Sequence, residues 1–297
     1  MTTNDELNKE VMLHKSPNKL KTFWFATMIR CFTVILLFCS IEAQALWTGC
    51  ENQSLEYTAA SAEFAPRPPN KTSFSLLVWN SYKGQQHSWL ATLSQLSQQA
   101  DFILLQEASR KQMRLWPDRQ HWYRYQAIAF EWLGDGFGVM NLAKQASLDS
   151  CVVLRAEPWI RVPKSALIQH YHWQGKDLLL VNIHSINFTW GEQDYREQLQ
   201  QLNIWLASYE GPMILAGDFN TWSSERLTLL KQLAHQYQLN EVIFRPDQRS
   251  RFYGQALDHI FYRGLKLDQS KSIVSDASDH NALWAKFSFT KHSLQLR

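Results

Sequence analysis

The chain has 297 residues, 45% of them hydrophobic and 19% charged, with 13 Trp and a formal net charge of +3. Such apolar and aromatic content excludes a disordered chain and supplies a large core. The small basic excess neither requires nor excludes a nucleic-acid substrate, because dedicated duplex binders carry far more positive charge.

Residues 1–45 read as a leader. "KLKTFWFATMIR" is basic, "CFTVILLFCSI" is apolar and "EAQA" ends small-x-small, the order of a secretory signal peptide cleaved after Ala45. Translation from Met28 would leave a compact version of the same signal. The apolar run from Cys31 to Ile41 is short for a bilayer span. Three readings stay open: a cleaved signal and an exported (periplasmic or secreted) protein, a retained anchor giving membrane association, or a buried helix in a cytoplasmic chain. Of the 4 Cys, Cys31 and Cys39 lie in this segment. Cys50 and Cys151 remain and form one disulfide if the chain is exported and the fold brings them together. Without a C-x-x-C pair, the usual spacing of a structural zinc site is missing.

Residues 46–72, with "EFAPRPPNKTS", read as a polar, Pro-containing linker. Residues 73–290 form the expected catalytic domain and 291–297 a short tail. "FSLLVWN" is a strand. "HSWLATLSQLSQQA" sets Trp89, Leu93, Leu96 and Ala100 on one helical face. "DFILLQE" is a buried strand, and "GFGVMNLA" and "SCVVLRAE" read as two strands joined by a turn. "SALIQHYHW" and "DLLLVNIHS" flank Gly175 as a hairpin. "QDYREQLQQLNIWLASYEGP" aligns Tyr195, Leu199, Leu202 and Leu206, and Gly211–Pro212 ends that helix. The strand "PMILAGD", a helix in "SSERLTLLKQLAHQY", and the segments "EVIFR", "LDHIFYR" and "NALWAKFSF" follow. No internal repeat is present. Strands outnumber helices and the two are mixed, which predicts an α/β sandwich of two facing sheets with helices outside.

The apolar segments end on polar residues. Strands of layered α/β folds finish where side chains reach a ligand with little desolvation. Here they finish or begin at Asn80, Gln106–Glu107, His184, Asp218 with Asn220, Asp258, and Asp279–His280. Each alone is an ordinary turn or cap residue; together they form a constellation. Asp218 and Asn220 are two apart, so an extended backbone points both to one side.

Taken in order, "VWN", "LLQE", "NIHS", "GDFN", "LDHIF" and "SDH" resemble the endonuclease/exonuclease/phosphatase superfamily with its DNase I-like fold, and most of all the short bacterial YafD-like proteins. The resemblance spans about residues 74–290. It implies a four-layer α/β sandwich, two mixed β-sheets packed face to face with helices outside, and a Mg²⁺-dependent phosphodiesterase or nuclease, with Mn²⁺ an acceptable substitute. Glu107, Asn80 and Asp279 match the metal-site positions. Asp218 matches the acid that orients or deprotonates water, Asn220 the phosphate-contacting amide, and His280 the histidine at the scissile phosphate. Asp258 matches that histidine's carboxylate partner, and His184 the second histidine near the leaving side. The chemistry is coherent: Mg²⁺ prefers hard oxygen ligands, an acid handles the water and a protonated histidine holds the phosphate.

"GDFN" continues "TWSSER" without the proline of several branches, and His259 stands where many relatives carry an aromatic residue. Loops long enough to penetrate DNA are missing, which weakens a damaged-DNA specificity. The expected partner is a phosphodiester, either nucleic acid or a phospholipid headgroup; nothing in the sequence points to a protein partner. A sphingomyelinase-like or sugar-phosphate hydrolase is the alternative, and a non-catalytic phosphate-binding module is the alternative of another class.

Among the remaining motifs, "GDGFG" reads as a turn into a strand and "HYH" as surface or core histidines. Neighbours in "SDH" cannot form a serine-hydrolase triad. Lys83, Arg155, Lys164 and Arg251 are either groove cations for phosphate or solvated charges. Trp222 is either a stacking wall for substrate or part of the core.

Overall fold

The computed structural model describes residues 50–64, 73–189 and 191–290, which fall in one unit, 49–297. The expected leader, the Pro-rich part of the expected linker and the tail 291–297 lie outside the described residues. In chain order the strands are β1 (Leu55–Thr58), β2 (Ser73–Asn80), β3 (Phe102–Ser109), β4 (Tyr123–Trp132), β5 (Asp135–Ala143), β6 (Asp149–Ala156), β7 (Pro163–Trp173) and β8 (Lys176–His184). They continue with β9 (Met213–Asp218), β10 (Asn240–Glu241), β11 (Arg251–Phe252), β12 (Gln255–Ala256), β13 (Asp258–Arg263), β14 (Leu265–Ile273) and β15 (Ala282–Phe289). The α-helices are α1 (Trp89–Ser97), α2 (Arg110–Leu115), α3 (Gln193–Gln201), α4 (Asn203–Ser208) and α5 (Ser224–Gln236).

Two mixed sheets result, in the orders β1-β4-β5-β3-β2-β15-β14 and β10-β13-β9-β8-β7-β6. The parallel pairs are β2 with β3 and β8 with β9. Alternation explains the layering. Phe74, Leu76 and Val78 of β2 join Phe102 and Leu104 of β3 in a core shared with Tyr171, Leu180, Ile214 and Ile260 of the other sheet. The intervening Leu77, Trp79, Ile103 and Leu105 face the other way, onto Trp89 and Leu93 of α1 and onto Trp116 and Trp122. β2 and β3 are therefore buried on both faces, which is why these runs read as continuously apolar. Buried Tyr195, Leu199, Leu206 and Leu230 on α3–α5, with Leu202 at the break between α3 and α4, supply the apolar stripe expected of the outer helices.

A polar ladder crosses the inter-sheet layer. Gln106 Nε2 donates to Asn182 Oδ1 (2.7 Å), Asn182 Nδ2 to Asn141 Oδ1 (2.7 Å), and Asn141 Nδ2 to Gln169 Oε1 (2.8 Å). Buried amides are costly when unpaired, so this chain of donors favours one relative placement of the sheets.

Four local expectations change. Residues 52–58 of the expected linker form a 3₁₀ turn and β1, which pairs with β4 and extends the first sheet. The Cys50–Cys151 disulfide ties this segment to β6. β5 and β6 belong to different sheets, so the link between them crosses the sandwich rather than making a hairpin turn. The helix expected through Leu206 breaks at Leu202 into α3 and α4, and only two residues of "EVIFR" and its flank pair, as β10. Sequence reading also passes over β4 and β14, whose exposed halves dilute the apolar signal.

Candidate active site

Register assembles the site before any side chain is considered. β9 lies between β8 and β13, and Asp218 at its end is flanked by His184 on the parallel side and Asp258 on the antiparallel side. On the other sheet, Asn80 ends β2 beside Gln106 of β3. Both sheets thus end at one mouth, and the polar residues at their ends converge there.

Asp218 is buried and held from several sides. Asn80 Nδ2 donates to Oδ2 (2.9 Å) and the Asn220 backbone N–H donates to Oδ1 (2.9 Å). Burial raises the carboxyl toward about 6, the charge of His280 opposes this, and the neighbouring Asp258 adds to it. The expected extended geometry of Asp218 and Asn220 does not hold. Asn220 adopts φ +49°, in the left-handed region that asparagine tolerates, and the chain turns over Asp218. One Asn220 amide hydrogen is given to the Ser185 carbonyl (2.8 Å), so the residue locks β9 to the loop after β8 and retains a second hydrogen for a ligand. Gly217 has φ +141°, and a Cβ there would stand 2.0 Å from the Ile183 carbonyl oxygen. Only glycine permits this approach of β9 to β8.

His280 Nδ1 and Asp258 Oδ2 are 2.7 Å apart, and His280 Nε2 lies 3.9 Å from Asp218 Oδ2. Burial disfavours the imidazolium, but the charges of Asp258 and Asp218 and the hydrogen bond to Asp258 outweigh it and raise His280 to about 10. His184 is driven the other way, well below its ordinary value, by burial and by the charges of Lys164, His280 and Lys83. The Lys164 ammonium, 3.0 Å from His184 Nε2, donates to a neutral ring that keeps its proton on Nδ1. One histidine is therefore charged and the other neutral, about one acid.

Glu107 lies in a β-bulge of β3 opposite β5, with φ +51°, and this re-aims its carboxylate into the mouth. It pairs with Lys83 and sits 3.9 Å from His184. Asp279 is exposed on the same mouth. Asn80 is placed behind Asp218 rather than on the pocket wall: its amide serves Asp218 and its carbonyl accepts from Tyr82 N–H (3.1 Å). Among the described residues, Asp218, Asp258 and His280 bring ligand-type atoms within 4.8 Å of one another. A charged imidazole has no lone pair to offer, so this trio is better read as an acid–base relay than as a metal cage. The oxygen donors left facing the pocket are Glu107, Asp279 and Asp218, a hard set that fits Mg²⁺.

The pocket has a volume of about 750 Å³. Lys83, Lys164, Asn220 and Trp222 line it, while Arg155 is bound to Asp194 and Glu197 and Arg251 to Asp247. Trp222 stacks on the Arg226 guanidinium at 4.5 Å. His170 and His172 lie by Asp177, away from this mouth, and buried His259 is held by Thr221 and Glu241.

Two functional supports escape sequence reading. Buried Glu157 accepts from the Asn187 and Phe188 N–H groups, and buried Arg226 donates to the carbonyls of Ile186, Asn187 and Asn220. Together they pin the loop after His184. Arg226 leaves a trace, a cation on the apolar stripe of α5 with Leu230 and Leu233; Glu157 leaves none. The apolar rim is also missed. Trp159 and Phe188 are each 54% exposed and Tyr253 is 85% exposed at the mouth. They come from three loops far apart in sequence.

Comparison with known proteins agrees with the fold and with the family resemblance. The sequence profile of the Endonuclease/Exonuclease/phosphatase family matches residues 77–280. A UPF0294 protein of Vibrio cholerae is 44% identical over 216 residues, 72% of this chain and 77% of that protein. A UPF0294 protein of Vibrio vulnificus is 42% identical over 249 residues, 83% and 87%. Among solved structures, the human Nocturnin catalytic domain with bound sulfate aligns with TM-score 0.59 and 17% identity over 81% of this chain and all of that one. The zebrafish (D. rerio) TDP2 complex with a single-strand DNA product aligns with TM-score 0.52 and 18% identity over 73% and all of that chain.

Proposed function

The chain belongs to the endonuclease/exonuclease/phosphatase family, and from that premise we propose that it is a Mg²⁺-dependent phosphodiesterase of nuclease type. The observation that carries this reading is the relay at the pocket floor. A charged His280 backed by Asp258 stands beside a buried Asp218 whose carboxyl is tuned toward neutral pH. Asp218, held by Asn80 and Asn220, orients the attacking water and accepts its proton. His280 presents Nε2–H to a phosphoryl oxygen, where fixed positive charge in a desolvated site is most effective. The Lys164 ammonium, held 3.0 Å from neutral His184 on the far side of Asp218, steadies the leaving oxygen. Glu107 and Asp279 would hold Mg²⁺, which when bound supplies charge neutralisation at the phosphoryl and leaving oxygens.

A chromogenic phosphodiester assayed with Mg²⁺ and with EDTA tests this. Asp218→Asn and His280→Ala each lower kcat by roughly two to four orders of magnitude with the fold intact. Unaltered turnover in both variants refutes the assignment, and metal binding without turnover of any phosphoester favours a non-catalytic module.

The rim favours a second reading for substrate. Trp159, Phe188 and Tyr253 give a single polar floor apolar walls, which suits a phosphodiester carrying an apolar substituent, as in a phospholipid. Single-stranded DNA, duplex DNA, RNA and sphingomyelin vesicles, assayed side by side, separate the two. The Cys50–Cys151 disulfide supports export, since such bonds persist in oxidising compartments.

A further inference from the structure

A second cleft, of about 240 Å³, shares no lining residue with the catalytic pocket. Register builds it. β1 sets Thr58 opposite Arg124 and Glu56 opposite Gln126. Residues two apart on a strand share a face, so all four side chains stand on one side of the sheet edge. α2 adds Arg110 and Arg114, one turn apart, and the following 3₁₀ turn adds Arg119.

Four guanidinium groups therefore open on a cleft whose lining has one carboxylate, Glu56. That carboxylate is engaged by Arg110, which also reaches Glu131. Arg119 gives one N–H to the Trp116 carbonyl (2.8 Å). Among the described residues, Arg114 and Arg124 have no ion-pair or hydrogen-bond partner, and the Arg124 Nε is fully buried without one. Burial and then the charges of Arg119 and Arg114 push the Arg124 pKa down, yet a guanidinium keeps its proton across the physiological range.

An unpaired buried N–H is expensive, and so is a nest of like charges. The rest of the lining carries no further charge: Met113 and Met140 are apolar, Thr58 and Gln126 are neutral, and the Gln126 Nε2 hydrogens go to the Ala108 and Gly136 carbonyls. A cation meets four guanidinium groups here against one carboxylate already paired with Arg110. A tetrahedral oxyanion meets several planar donor forks of the geometry that binds phosphate bidentately. We propose that this cleft is an anion site, separate from the catalytic pocket, that binds the phosphate group of a soluble or membrane-borne ligand. It stands independently of the catalytic reading.

Inorganic phosphate, titrated calorimetrically into the metal-free protein, tests it in wild type, in His280→Ala and in the Arg114→Gln/Arg124→Gln double variant. Saturable binding is expected to survive His280→Ala and to weaken at least tenfold in the double variant. Hydrolysis of a small chromogenic diester by the double variant is expected to stay within twofold of wild type. Circular dichroism checks its fold; should it fail to fold, Arg114→Gln, on the exposed side of α2, decides, with binding expected to weaken threefold or more. Wild-type affinity in the arginine variants, binding lost in His280→Ala alone, or no saturable binding in wild type overturns the proposal. Co-sedimentation with phosphatidylglycerol but not phosphatidylcholine vesicles, dependent on Arg114 and Arg124, identifies a headgroup as the source. Binding of free phosphate without vesicle binding identifies a soluble anion.

Discussion

Asp218 illustrates how a strand-end acid is tuned for the proposed chemistry. Burial raises its pKa toward about 6 while His280, held charged by Asp258, restrains the rise. The sign of the pH dependence follows. In the proposed mechanism Asp218 works deprotonated, so kcat/KM is expected to climb as pH passes about 6; His280 works protonated, so activity is expected to fall as pH passes about 10. In Asp258→Asn the main support for the imidazolium is gone, and the alkaline limb moves down toward the ordinary histidine value of about 6.5. A pH–rate profile with a limb that stays near 10 in that variant contradicts the relay. The identities of these residues were legible in the sequence because acids, amides and histidines stood at the ends of apolar runs. Their ionisation was not, because it depends on neighbours brought in from other strands.

At the scale of elements, β9 and the loop after β8 set the tolerances. Gly217 is the point where β9 passes within reach of the Ile183 carbonyl. Gly217→Ala forces strands apart and is expected to destabilise by roughly 3 kcal/mol or more, read by urea unfolding or as loss of soluble protein. The loop at 186–189 is clamped by Glu157 and Arg226, two buried charges each bonded to its backbone. Arg226→Met leaves those buried carbonyls without their donor, at a cost of about 1–3 kcal/mol or more. It should also open the loop to limited proteolysis; a cleavage pattern identical to wild type contradicts the clamp. The motif "GDFN" pointed to this region, but spacing alone implied an extended Asp218–Asn220 pair. The left-handed turn at Asn220 belongs to the tertiary setting, since it is the Ser185 carbonyl and the Asp218 carboxylate that make that conformation favourable.

For the whole molecule, the Cys50–Cys151 bridge joins residues 101 apart and fastens the lead-in segment to the second sheet. Loop-closure entropy assigns such a bridge up to about 4.7 kcal/mol. Reduction, or Cys50→Ser with Cys151→Ser, should lower the urea midpoint of the purified protein, while non-reducing peptide mapping recovers the linked pair; a midpoint indifferent to reductant contradicts this. By itself the sequence determined the sheet-rich α/β class, the main apolar strands and the polar residues at their ends. Those follow from local periodicity and from the cost of burying polar groups. Only the tertiary structure decided that β5 and β6 part company, that β1 completes a sheet, and that Glu157, Arg226 and the aromatic rim belong to the site. It alone brought the four arginines to one cleft. These are contacts between segments far apart in sequence, and no local pattern encodes which side chains will meet once two twisted sheets close on each other.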